Sequence, residues 1–488
     1  TDLGSTSMPE HYKELGTFYK YYSGEIKAPI PTIFIGGNHE ASNYLWELYY
    51  GGWVCENIYY LGCSGVVNFG GLRIGGLSGI YKQRDYGLGH FETFPYTDDT
   101  IRSIYHVRRY EMFKLNMIRQ PIDIFLSHDW PENITRFGDE NRLKQIKQGL
   151  APDIERIRLG NPYSELLLYK LKPRYWFAAH LHVKFAAMIP HDAPQMVTAP
   201  NPDEIPISLD ETAININQNE VDDPDELPSF IDDVDNTNII ESDETQIINS
   251  EEISITNDTA VDLTQDLENL KEFVASAISS NTQTSYTRFL SLDKCLPGRE
   301  FLQVLDFPEA NGPLEFSYDE EWLAITKATH QFFSVTRKQI PVPTESQIRS
   351  QIDSSHEWVR NNILQRDSGL LIPKNFLPTA PAHNTSNEQE YDLNIPFLNP
   401  QTVTFTQMLE IENKINPNDE IHESDLSNNS QNSKKKVDTL PLALVSSNES
   451  DESDEKNLIN KVLLYFKKDK IKQVERYKVN ILGKNGYE

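Results

Sequence analysis

IFIGGNHEA, residues 33–41, is the stretch on which the fold turns. An apolar, β-branched run leads into Gly36 and Gly37, and the chain then offers Asn38 and His39 from a loop. In open α/β sheets, ligand groups sit in such loops, at the C-terminal ends of strands. Paired glycines let backbone come close to an ion or a phosphate. An Asn amide oxygen is a neutral hard ligand, and the neighbouring imidazole can ligate or carry protons. Taken alone, Asn-His in a loop also reads as an ordinary hydrogen-bonded turn.

Two further segments repeat the design. IDIFLSHDWP at 122–131 is an apolar strand ending in Ser127, His128 and Asp129, and RYWFAAHLH at 174–182 ends in His180 and His182. Histidines at i and i+2 of an extended chain point to opposite faces, so both reach one cluster only where the backbone bends past the strand end. Three separate strands ending in histidine indicate a metal site. Imidazoles plus an amide oxygen suit Mn, Fe or Zn rather than Ca or Mg. A structural zinc site would include clustered cysteines, and Cys55, Cys63 and Cys295 form no such motif. The pattern therefore favours a catalytic centre.

Working outward, short strands are expected at Thr32–Ile35, Asn57–Leu61, Val66–Phe69, Leu72–Leu77, Ile122–Leu126 and Tyr175–Ala178. Helices are expected at Asn43–Tyr50, Thr100–Ile118 and Tyr163–Leu171. Strands interleaved with helices make residues 1–192 an α/β layered domain. From 193 to 283 the composition turns acidic. The chain carries 45 Lys and Arg against 73 Asp and Glu, a net charge of −28, yet no Lys or Arg lies between Asp203 and Leu270. Such a stretch cannot offset its ordering entropy by burial and is expected to be a disordered linker. A smaller α+β unit is expected at 284–372, followed by a mostly disordered polar tail at 373–488. The tail holds Lys434–Lys436, which reads as a solvated run with nuclear import as the alternative, and a basic stretch near 456–474 with helical character. No apolar run reaches the roughly 18 residues that cross a bilayer, so no membrane role is expected.

The order GNHE, a strand ending in His, then His-x-His resembles the calcineurin-like metallophosphoesterases. YYSGEIKAPIPTIFIGGNHEASN, GGWVCENIYYLG, IYHVRRYE, PIDIFLSHDWP and KPRYWFAAHLHVKFAA narrow the likeness to the lariat debranching enzymes. FLSLDKCLPGREFLQVLDF and EWLAI resemble that family's C-terminal domain. The resemblance implies a metallophosphoesterase β-sandwich flanked by helices, with two divalent transition-metal ions. Asn38, His128 and His180 would ligate one ion and His182 the other, with His39 as general acid. The family's Cys-x-His and Gly-Asp motifs, which complete the second ligand set, do not occur here. The chain is expected to start after them, to hold at most one ion poorly, and to have little activity as it stands.

The implied substrate is branched, lariat intron RNA, cut at its 2′–5′ linkage in the nucleus, with shuttling to the cytoplasm as an option. Substrate choice is expected in segment 81–110. There Tyr81, Lys82, Arg84, Tyr86, His90 and Phe91 combine cations for phosphates with rings that stack on unpaired bases. The acidic linker repels RNA and reads as passive, with recruitment of a basic or spliceosome-associated protein as the alternative. Rival readings are a metallophosphoesterase of other specificity (nuclease or protein phosphatase) and a metal-poor remnant acting as a binding scaffold.

Overall fold

Alternation along a few short strands builds two stacked sheets. The computed structural model describes residues 3–9, 13, 15–191, 285–308, 310–380 and 397–416, and the strand backbones 462–471 and 474–483. Numbered in chain order, the strands are β1 (Thr32–Phe34), β2 (Gly52–Cys55), β3 (Ile58–Tyr60), β4 (Ser64–Phe69), β5 (Leu72–Leu77) and β6 (Ile124–Ser127). They continue as β7 (Tyr175–Ala178), β8 (Phe185–Pro190), β9 (Tyr286–Ser291), β10 (Leu302–Asp306), β11 (Ser317–Tyr318), β12 (Val462–Ile471) and β13 (Val474–Gly483). One sheet runs β10-β13-β12-β1-β3-β2 and the other β11-β4-β5-β6-β7-β9-β8.

Period-two patterning explains the layers. Ile33, Ile124, Leu126 and Phe177 meet in the core between the sheets, with Trp53, Tyr59, Phe69 and Ile74. Their strand neighbours point the other way. Phe34 packs with Tyr22, Leu48 and Tyr60, whereas Phe125 and Trp176 pack beneath the helices Arg109–Asn116 and Pro162–Leu171. Each such fully buried side chain contributes about 1.5–3 kcal/mol. The result is a sandwich with helices on both outer faces, as the family resemblance implies.

β5, β6 and β7 are parallel neighbours, so the loops after Leu77, Ser127 and Ala178 emerge at one end. The loop after β1 joins them: Gly79 N donates to Gly36 O at 2.9 Å, and Gly36 N donates to Ser78 Oγ at 3.0 Å. Gly79 sits at φ +88°, and a Cβ there would meet the Tyr105 carbonyl at 1.9 Å, so glycine is required for this approach.

The C-terminal α+β region does not stand apart. β9 lies between β7 and β8, and β11 pairs with β4 at the sheet edge. Its helices Glu320–Thr329 and Glu345–Asn362 begin at side-chain caps, Asp319 on Trp322 N and a Thr344/Gln347 capping box. Arg73 of β5 is buried and bridges to this region. Its guanidinium takes both Asp319 oxygens and one Glu321 oxygen at 2.7 Å each.

Several expectations are corrected. The helix expected over Thr100–Ile118 is two, Thr100–Ser103 and Arg109–Asn116. Between them Val107 N donates to Ile80 O at 2.9 Å and Arg108 adopts φ −105°, ψ 154°, because this stretch pairs with the chain leaving β5. β2 and β8 were not expected. The tail is partly built: helix Pro400–Leu409, capped by Asn399, buries Phe405 and Leu409 among apolar side chains of the C-terminal region. The basic stretch near 456–474 is strand rather than helix, since VLLYFKKDKI and VERYKVNILG pair as β12 and β13 and join β1 to β10. The acidic segment 193–283 and Lys434–Lys436 lie outside the described residues. Among the described residues, no helix is long and apolar enough to cross a membrane.

Candidate metal centre

Four loops assemble the site at the shared end of the strands. After β1, Glu40 accepts the Gly37 N–H at 3.1 Å, which tightens the turn carrying Asn38 and His39. After β6, Ser127 Oγ donates to Asp129 O at 2.6 Å and accepts from Trp176 Nε1 at 2.8 Å. Trp130, fully buried, donates its indole N–H to Ala179 O at 2.7 Å, and Ala179 N donates to His128 O at 3.1 Å. The two histidine-bearing loops are thereby tied together.

His128 Nε2 lies 3.0 Å from Asn38 Oδ1, and the His128 and His180 ring centroids are 5.0 Å apart. His180 and His182 have φ +62° and +51°. Left-handed backbone costs a non-glycine residue about 1–3 kcal/mol, and such strain concentrates at functional sites. This double bend is the departure from an extended chain that the His-x-His spacing demands. His180 lies in this turn with its Nδ1 buried and, among the described residues, without a hydrogen-bond partner, and half-buried His182 follows two residues on. Burial, then the Lys82 charge, pull the His180 imidazole down to about 4, leaving it neutral and ready to ligate.

His39 is half-buried. Its Nδ1 lies 2.7 Å from the Ser7 carbonyl and its Nε2 3.2 Å from Asn38 Nδ2. A carbonyl only accepts and an amide nitrogen only donates. The network thus places the proton on Nδ1 and turns Asn38 Oδ1 towards His128.

These residues fit a bound ion. Asn38, His128 and His180 present neutral oxygen and nitrogen donors, and two donors each about 2.1 Å from one ion stand near 3 Å apart. Calcineurin-like phosphoesterases use divalent metal pairs. Among the described residues, however, no group of three or more His, Cys, Asp or Glu side chains forms a metal cage. The structure therefore brings together the donors expected for one ion, and His182 sits in the adjoining turn.

Of the residues expected to bind substrate, Arg84 is exposed and Tyr81, Lys82 and Phe91 are half-exposed. Tyr86 and His90 are corrected, because both are buried. Tyr86 stacks on Tyr163 at 3.9 Å, and His90 Nε2 lies 3.0 Å from Glu111 Oε1. Burial alone would raise the Glu111 carboxyl, yet His90, Lys114 and Tyr49 hold it down at about 2. These two side chains face the interior and hold the segment from below.

Sequence reasoning gave no role to Glu40, Ser78, Asp129 or Ser7. Asp129 is the most informative: it accepts Tyr81 N at 3.1 Å and Trp130 N at 2.9 Å, fixing segment 81–96 to the His128 loop. Its position directly after His128 was the available signal. Ser7 acts through its backbone carbonyl and left none.

A sandwich whose strand ends gather Asn38, His128 and His180 defines a metallophosphoesterase. Residues 2–184 match the calcineurin-like phosphoesterase family model, and residues 284–414 match that of the lariat debranching enzyme, C-terminal domain. The chain is 41% identical over 410 residues to the lariat debranching enzyme of Arabidopsis thaliana, covering 84% of this chain and 75% of that protein. It is 42% identical over 417 residues to that of Schizosaccharomyces pombe, covering 83% and 86%. With the human enzyme it shares 38% over 413 residues, covering 84% of this chain and 60% of that protein. The chain belongs to the lariat debranching enzyme family of calcineurin-like phosphoesterases.

Proposed function

We propose that this protein is a metal-dependent phosphodiesterase that hydrolyses the 2′–5′ branch linkage of excised intron lariat RNA, linearising it for turnover. The carrying observation is the union of Asn38, His128 and His180 at one sheet end, with Lys82 close enough to bias His180. Asn38, His128 and His180 would hold one ion and His182 would contribute to a second, with Mn, Fe or Zn matching the donor set. When bound, such ions supply Lewis-acid stabilisation of phosphate charge and an activated water.

The chain's own residues do the rest. His39 faces Asn38 through Nε2 and is the group that can protonate the departing 2′-oxygen. The Ser7 carbonyl keeps its hydrogen bond to Nδ1 when Nε2 also carries a proton, while the Asn38 amide must give up its bond to Nε2 for that proton to be held. Such general-acid help contributes about 10²–10⁴-fold. Lys82 and Arg84 would take phosphates, while Tyr81 and Phe91 would stack on unpaired bases. Nuclear residence, with exchange to the cytoplasm, follows from where excised introns arise. A basic partner for the acidic segment is a proposal of composition alone.

The decisive assay offers branched RNA, linear RNA and a phosphopeptide in competition. Opening of the branch with release of a linear strand is expected. Cleavage confined to 3′–5′ linkages would overturn the reading.

A further inference from the structure

The C-terminal region meets the substrate segment backbone to backbone. His90 N donates to Ser334 O at 2.9 Å, Gly89 N donates to Arg337 O at 3.2 Å, and Leu88 bridges to Lys338 in antiparallel fashion. The contact is close enough that a Cβ on Gly89 would lie 2.2 Å from Thr336 O. The Arg337 guanidinium lies 4.8 Å from the Phe91 ring centroid.

We propose that the turn Ser334–Lys338 is a second RNA-contacting element, in which Arg337 and Lys338 take phosphates of nucleotides flanking the branch. This rests on the debranching reading and extends it from the catalytic region to the C-terminal one.

Three observations set these cations apart from ordinary solvated ones. First, the turn is firmly built: Ser334 Oγ donates to Lys338 O at 2.8 Å, and Lys414 Nζ donates to Phe333 O at 2.9 Å. Phe333 stacks on Tyr49 at 4.5 Å, and Tyr49 belongs to the turn that follows the helix after His39. Second, Arg337 and Lys338 are exposed and make no ion pair among the described residues, although the chain has net charge −28. Third, the seam places them against Leu88–Phe91 of the segment expected to read the substrate, with Arg337 over the Phe91 ring. A guanidinium lying over a ring is pre-oriented and keeps its N–H fork for phosphate. Ring and cation side by side are the pairing that single-stranded nucleic acid recruits.

The test is the salt dependence of binding to a branched RNA oligonucleotide, with divalent metal chelated so that nothing is cut. The double variant Arg337→Ala/Lys338→Ala is compared with wild type and with Arg156→Ala/Arg158→Ala, which removes two exposed cations outside the seam. Removing one phosphate interaction lowers the slope of log K against log salt by about 0.7, so a fall of about 1.4 is expected at unchanged melting temperature. The control pair is expected to leave the slope as it was. An unaltered slope in the seam variant, or an equal fall in the control, overturns the proposal while leaving the debranching reading intact. Wild type that binds no branched RNA overturns both.

Discussion

The Nε2 of His128 lies 3.0 Å from the Oδ1 of Asn38, across 90 residues of chain. One small side chain thus faces His128 with its oxygen and His39, the proposed general acid, with its nitrogen. Asn38→Asp keeps an oxygen towards His128 but replaces the amide donor to His39 with a negative charge. It is expected to raise the His39 proton affinity and shift the pH–rate profile for branched RNA upward. On the proposed roles, Asn38→Ala removes a metal ligand and the partner of a general acid whose help is about 10²–10⁴-fold, so a loss of at least about 10²-fold is expected. Single-turnover cleavage across pH checks both. An Asp variant with an unshifted profile would remove His39 from the proton-transfer role.

The strand ends are legible in the sequence because a parallel strand leaves a strong local mark: an apolar run, then a polar side chain that a strand interior would not tolerate. That is why Asn38, His39, His128 and His180 stand out from the residues alone. Tyr86 and His90 are misread for the converse reason. A ring beside an arginine has the same sequence signature whether it faces RNA or the interior, and only the Tyr163 stack and the Glu111 contact decide it. The Arg108 break is hidden too, since helical periodicity carries no trace of a pairing made with Ile80, far away in sequence. Helix Pro400–Leu409 escapes because its surroundings are polar, and its caps and tertiary contacts, such as Gln401 Oε1 on Trp53 N at 2.7 Å, do the holding.

Arg73 tests whether the two regions fold as one. It makes a bidentate bond to Asp319 and reaches Glu321, and all three residues are buried. Arg73→Ala would leave the buried Asp319 and Glu321 carboxylates without their cationic partner, although backbone N–H groups of Trp322, Arg119 and Gln120 still donate to them, a change of the kind that costs about 3–5 kcal/mol. Urea unfolding should show this as one cooperative transition at lower midpoint. Arg73→Lys, with charge but no fork, should fall between. A loss under about 1 kcal/mol in the Ala variant would mean that the regions are held elsewhere.

Asp129 should separate binding from folding. Its two oxygens each accept a backbone N–H, from Tyr81 and Trp130, so Asp129→Asn leaves one buried N–H facing an amide NH₂. An unsatisfied buried donor costs about 1–3 kcal/mol. Because Tyr81 begins the segment proposed to bind substrate, the expected kinetic signature is a several-fold rise in KM for branched RNA, larger than for a linear competitor. Equal effects on both RNAs would assign Asp129 to stability alone.

Glu47, at the end of the helix Ser42–Glu47, supplies a pH dependence of stability. Burial raises its carboxyl from 4.5 to about 8, although Thr379 Oγ1 and Asn399 Nδ2 donate to it at 2.7 and 3.2 Å. The folded chain therefore keeps a proton that the unfolded chain releases near 4.5. Between those values the native state binds more protons, so stability falls as pH rises. The slope is at most about 1.4 kcal/mol per pH unit, and it levels off above about 8. Glu47→Gln keeps an acceptor for Thr379 and Asn399 without the ionisation. Urea midpoints should match wild type near pH 5 and exceed it at about pH 8, with the gap opening steadily between. Parallel curves for the two proteins would show that the carboxyl is already ionised in the folded state, with water or a cation reaching it.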